Sequence, residues 1–110
     1  MERTLVTLSI AKSFTTTPGA RNVDEGSFSG EEFLTTTLEP LFKKAEDEEF
    51  SILVDLDGTE GYATSFLEEA FGGLARKYGA DKVLEHLEFK SEDEPLLIDE
   101  IKLYIREANQ

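Results

Sequence analysis

An α/β fold follows from three features of the sequence. Val6, Leu8 and Ile10 alternate with Thr7 and Ser9, the period-two pattern of a strand with one face on a core. Phe50 to Leu56 is almost continuously apolar, which predicts a strand covered on both faces. Between and beyond these runs, apolar residues recur at helical spacing over Phe33 to Ala45, Phe66 to Tyr78 and Leu97 to Ala108. At 110 residues, 39% hydrophobic and 32% charged, the chain has material for one core and reads as a single domain, residues 1–110. The expected architecture is a small mixed β-sheet with helices packed on it.

Taken in order, the first strand gives way to Thr15-Thr16-Thr17-Pro18-Gly19-Ala20-Arg21, with a Pro-Gly turn at its centre. A short second strand near Arg21 to Val23, pairing back on the first, is weakly signalled. Ser29-Gly30-Glu31-Glu32 is a capping box that opens the first long helix. Pro40 removes one backbone donor inside that helix and predicts a kink or two shorter pieces. Glu46-Asp47-Glu48-Glu49 sets four carboxylates against the negative end of the dipole, a solvated stop before the next strand.

After the apolar strand, Ser65 and Glu68 form a second capping box, and Gly79 supplies the helix stop. Gly72 and Gly73 lie in mid-helix, each less favourable than alanine by about 1 kcal/mol. That cost predicts close packing against the sheet or a partner. A third core strand is expected within Val83 to Phe89, with Leu87 and Phe89 inward and His86 toward solvent. Pro95 occupies the tolerated first turn of the last helix.

Charge and composition narrow the function classes. The net charge of -13 argues against nucleic-acid and anionic-membrane partners, because either polyanion would be repelled. Without cysteine there is no thiolate chemistry and no disulfide, and one histidine, His86, cannot build a histidine-rich metal centre. No signal-peptide pattern opens the chain, and no apolar run approaches the ~20 residues a membrane helix needs. A soluble, cytoplasmic protein with no cofactor is the expectation.

Asp55-Leu56-Asp57-Gly58-Thr59 matches the nucleophile motif of haloacid-dehalogenase-type phosphatases. On a strand, residues i and i+2 project to the same side, so Asp55 and Asp57 could serve as nucleophile and general acid, with Mg²⁺ bridging them to a phosphate. The rest of that machinery is missing: no matching second-strand Ser or Thr, distant Lys or late acidic pair follows. Asp93 and Asp99 sit at or beside a helix start, where capping and solvation explain them. Asp55 has a plainer role as a partner to backbone amides.

Read through to the following helix, the stretch resembles the STAS domains of anti-sigma-factor antagonists and sulfate-transporter tails. The resemblance is closest to the STAS-like domain of unknown function of the DUF4325 type. It is carried by Pro18-Gly19-Ala20-Arg21, Ser29-Gly30-Glu31-Glu32-Phe33, Asp55-Leu56-Asp57-Gly58 and Thr64-Ser65-Phe66-Leu67-Glu68-Glu69-Ala70-Phe71-Gly72. It implies a bacterial, non-catalytic regulatory module whose partner is a histidine-kinase-like ATPase that doubles as an anti-sigma factor. It also implies phosphorylation at the helix start, at Thr64 or Ser65.

The sequence departs from the antagonist pattern at Ala63 and Phe66, which stand where that family carries Asp and Gly, and Glu68 and Glu69 would repel a new phosphate. The plain alternative for Ser65 is an N-cap. The candidate partner surface comprises Asp57, Gly58, Gly61, Tyr62, Ser65, Glu68, Glu69, Gly72 and Gly73. Tyr62 could be an exposed docking knob or a packed ring. Arg21 is expected to pair with a neighbouring carboxylate.

Overall fold

The computed structural model describes residues 4–108. Strands β1 (Leu5–Ser9), β2 (Ser51–Asp55) and β3 (Leu87–Lys90) form one sheet in the order β1-β2-β3, every pairing parallel. Val54 lies level with Leu8 on one side and Phe89 on the other. The alternation in β1 does what its period requires. Val6 and Leu8 join Ile52, Val54, Leu87 and Phe89 on the face that meets the core.

The other face is open among the described residues. Thr7 and Glu88 are exposed, Leu53 is half-buried, and Leu5 keeps 45% of its surface. The apolar run of β2 therefore overstates its cover, since Leu53 is only half-buried while Ile52 and Val54 are sealed. Helices supply that cover from one side. They are the single turn α1 (Ile10–Ser13), α2 (residues 30–48), α3 (residues 64–78), α4 (Ala80–His86) and α5 (Leu96–Glu107).

The expected strand near Arg21 to Val23 does not form, so the described sheet is parallel where a mixed one was expected. The segment closes on itself instead: the Gly19 amide donates to the Phe28 carbonyl at 2.8 Å, and the Gly30 and Glu31 amides donate to Ala20 and Arg21 at 2.8 and 2.9 Å. A 3-10 turn, Val23–Glu25, lies between them. With its backbone groups used in the loop, the segment has few left to offer β1.

Pro40 does not break α2. The helix widens to a π-turn over Leu34–Leu38, just ahead of the proline, and the Glu39 amide reaches back to the Leu34 carbonyl. Side chains take part as well, the Thr35 and Thr36 hydroxyls donating to the carbonyls of Glu31 and Glu32 at 3.0 and 2.7 Å. Extra room in the wide turn accommodates the ring that a regular helix would clash with. Helix α3 carries a second π-turn, Glu68–Gly72.

The two helices meet closely, and glycine permits it. A Cβ on Gly30 would stand 2.5 Å from the Phe66 carbonyl oxygen, and one on Gly73 would stand 2.9 Å from a Leu34 methyl. The mid-helix glycine thus packs against a neighbouring helix of the same chain. Between the helices lies an aromatic core: Phe33 stacks on Phe66 at 5.8 Å, with Phe14 5.2 Å and Phe71 6.2 Å from the Phe33 ring.

The third strand is shorter than expected. Val83 to His86 finish α4, whose buried residues Val83 and His86 are three apart, a helical and not a strand spacing. His86 is accordingly buried and not at the surface. Its Nδ1 is 3.0 Å from the Phe50 carbonyl, and its ring meets Phe42 edge-on at 5.7 Å.

Candidate functional site

The carboxyl end of β2 is built around Asp57. One of its carboxylate oxygens accepts from the Glu92 and Asp93 amides, each at 2.9 Å, and the other accepts from Glu92 at 3.0 Å. Those amide bonds, Asp93 first and then Glu92, hold the Asp57 carboxyl below the usual aspartate range, aided by Lys90. Asp55 accepts from the Asp57 amide at 3.0 Å, a local turn closure of the kind short acidic side chains favour. Lys90 Nζ stands 3.9 Å from Asp55 and 3.7 Å from Asp57, and 3.1 Å from Glu92. The Leu56 amide donates to the Lys90 carbonyl at 2.8 Å. The motif therefore ties the end of β2 to the turn that follows β3.

A general acid needs a carboxyl pKa near the working pH. Asp57 is shifted the other way. Gly58, with φ of 92°, is exposed beside this turn, and its amide faces the Asp93 carboxylate at 3.3 Å.

Tyr62 is a packed ring. Its hydroxyl donates to the Leu56 carbonyl at 2.8 Å, and its ring is 5.9 Å from Phe66. Burial, with smaller effects from Asp55, Asp57 and Glu94, pushes this phenol up to about 12. Gly61, at φ 126°, makes the turn before it.

Helix α3 then starts without a side-chain cap. Its N-cap position is Ala63, and Thr64 is exposed while Ser65 is half-buried. The expected Ser65–Glu68 capping box is not formed. The helix begins two residues earlier than that box requires, and Glu68 is engaged elsewhere. Arg21 donates to Glu68 and, at 3.4 Å, to Glu69, while Arg76 reaches Glu68 at 2.6 Å and Glu69 at 3.7 Å. Two guanidinium groups thus balance two carboxylates on the flank of α3, and both arginines bring Glu68 below the usual glutamate range against the opposing effect of burial. Arg21 pairs as its surroundings predicted. Arg76 was not singled out in the sequence, although its place eight residues after Glu68 on the same helix was a usable signal.

Gly72 and Gly73 are buried. A Cβ on Gly72 would come 2.6 Å from the Glu68 carboxylate. The two glycines shape packing and the ion-pair cluster, so the accessible part of the candidate surface contracts to Asp57, Gly58, Gly61, Tyr62, Ser65, Glu68 and Glu69. Phe66 is fully buried, as a core residue.

A family model described as a STAS-like domain of unknown function (DUF4325) matches residues 29–97, more than half of the chain. The chain belongs to this family. Neither a curated protein nor a solved structure matches it. The matched segment of the STAS-like domain holds α2, β2, α3, α4 and β3, and with them Asp55, Asp57, Thr64 and Ser65; Pro18 to Arg21 lie outside it. No described helix is long and apolar enough to cross a membrane.

Proposed function

We propose that this STAS-like domain is a non-catalytic regulatory module that docks a protein partner through the start of α3 and the turn before it. The partner is of the histidine-kinase-like ATPase or anti-sigma-factor type, and phosphorylation at Thr64 or Ser65 switches the contact. The observation that carries this reading is the contrast within one loop. The carboxylate of Asp57 is committed to two backbone amides, whereas Thr64 and Ser65 stand at an uncapped helix start with their hydroxyls making no hydrogen bond to another described residue.

Helix amides and the positive end of the dipole favour a phosphate there. Glu68 and Glu69, which would oppose it, are offset by Arg21 and Arg76. The test is incubation with ATP and a histidine-kinase-like ATPase of the anti-sigma-factor type. A mass increase of one phosphate, lost in Thr64→Ala or Ser65→Ala, is expected; unmodified protein refutes the switch. The competing Mg²⁺-dependent phosphohydrolase would give metal-dependent turnover that Asp55→Asn abolishes, and that result would overturn the non-catalytic reading.

A further inference from the structure

A cleft of about 440 Å³ runs between β3 and α5, at the opposite side of the domain from β1. Leu84, Leu87, Phe89 and Ile98 give it an apolar lining. Its charged lining residues are Glu88 from the strand and Lys102 and Arg106 from α5. Ile98, Lys102 and Arg106 follow at four-residue intervals, so α5 turns one face to the cleft along its length.

Two observations make this more than a surface irregularity. First, β3 is an edge strand, and its outer row of backbone groups has no strand partner among the described residues. Such an edge is a template for an added strand, and natural folds usually blunt it. Second, Lys102 and Arg106 form no ion pair with any described residue. Arg21, Arg76, Lys77, Lys82 and Lys90 find carboxylates in this chain of net charge -13, and although Lys12, Lys43 and Lys44 also form no ion pair with a described residue, only Lys102 and Arg106 line one cleft together. Like charges one helical turn apart are unfavourable, and the helix dipole offsets only the one nearest the end.

We infer that this cleft binds an extended segment of a partner protein, which adds to the edge of β3, sets apolar side chains on Leu84, Leu87, Phe89 and Ile98, and pairs acidic side chains with Lys102 and Arg106. Strand addition supplies affinity through main-chain bonds, and the alternating pockets and the two cations supply register. The overall negative charge does not prevent this, since it is screened beyond roughly 10 Å while the two cations sit at contact distance. The surface is separate from the start of α3, and its occupancy does not depend on phosphorylation.

The experiment uses the full chain and a labelled peptide of alternating Glu and Val, with an alternating Lys and Val peptide as control. Saturable anisotropy at about 0.1 M salt is expected for the acidic peptide alone. Slowed hydrogen exchange of the Leu87–Lys90 amides should accompany it. The double variant Lys102→Glu, Arg106→Glu, one half-buried and one exposed position outside the core, should weaken binding about tenfold or more. No binding, equal binding of the basic peptide, or binding that leaves β3 exchange unchanged would each overturn the inference.

Discussion

Helices α2 and α3 begin with the same signature, Ser29-Gly30-Glu31-Glu32 and Ser65-Phe66-Leu67-Glu68, and use it in opposite ways. At α2 the Ser29 hydroxyl is buried and accepts from the Glu32 amide at 3.0 Å, while Glu32 reaches back to the Phe28 amide at 3.1 Å. That start is closed, roofed by the loop that carries Arg21. At α3 the serine sits two residues past the N-cap, within the first turn, the glutamate is drawn to two arginines, and the first turn is left without a cap. A capping box is a competition for the glutamate, and at α3 two guanidinium groups hold Glu68 while the helix already starts after Ala63, so Ser65 is not at the N-cap. Stability and accessibility are thereby divided between two otherwise parallel helices.

Breaking the closed end should cost most. Gly30→Ala places a methyl against the Phe66 backbone and Glu69, and we expect a loss of about 2 to 3 kcal/mol in denaturant unfolding, the reverse of the usual gain from alanine in a helix. Ser29→Ala should cost about 1 to 2 kcal/mol, because the cap is buried and its amide would lose its partner. Asp57→Asn comes next, at about 1 kcal/mol near neutral pH.

The sign of its pH dependence follows from the depressed carboxyl. The stabilisation is full above the unfolded-state pKa, near 3.8, and is lost as pH falls through the lower folded-state value. The gap between wild type and Asp57→Asn should therefore close on acidification below about pH 4, measured by unfolding at a series of pH values; a gap that stays constant contradicts the amide-bound carboxylate. Smallest of all is Ser65→Ala, expected within about 0.5 kcal/mol of wild type. A loss as large as that of Ser29→Ala would mean Ser65 is a cap after all, and the contrast between the two helix starts would fail.

How far the fold could be read from the sequence depends on how local the deciding forces are. The alternation of Val6 and Leu8, the cap at Ser29 and the stop at Gly79 are set within a few residues, and each emerged in the structure, whereas Ile10, expected to continue the strand, opens α1. The start of β3 was placed too early because Val83 to Phe89 is too short a run for periodicity alone to separate a helix end from a strand, and His86 packs inward against Phe42 and the Phe50 carbonyl. The open face of β2 was hidden because Leu53 is apolar whether or not anything covers it. At the candidate site, Asp55 and Asp57 were found by motif, but their work as a tie required Glu92 and Asp93, more than thirty residues on. The fate of Glu68 likewise turned on Arg21, 47 residues away.

The π-turn in α2 has a consequence for chain length. A wide turn amounts to one surplus residue, inserted without changing the phase of the helix on either side. Removing one of Thr35, Thr36 or Thr37 should therefore leave Phe33 and Phe42 pointing where they do now, in a helix that has lost its slack. The residue that would suffer is Pro40, whose ring would press on the turn before it, and Pro40→Ala should relieve the shortened helix. The threonine run is a spacer that lets a proline live inside a helix.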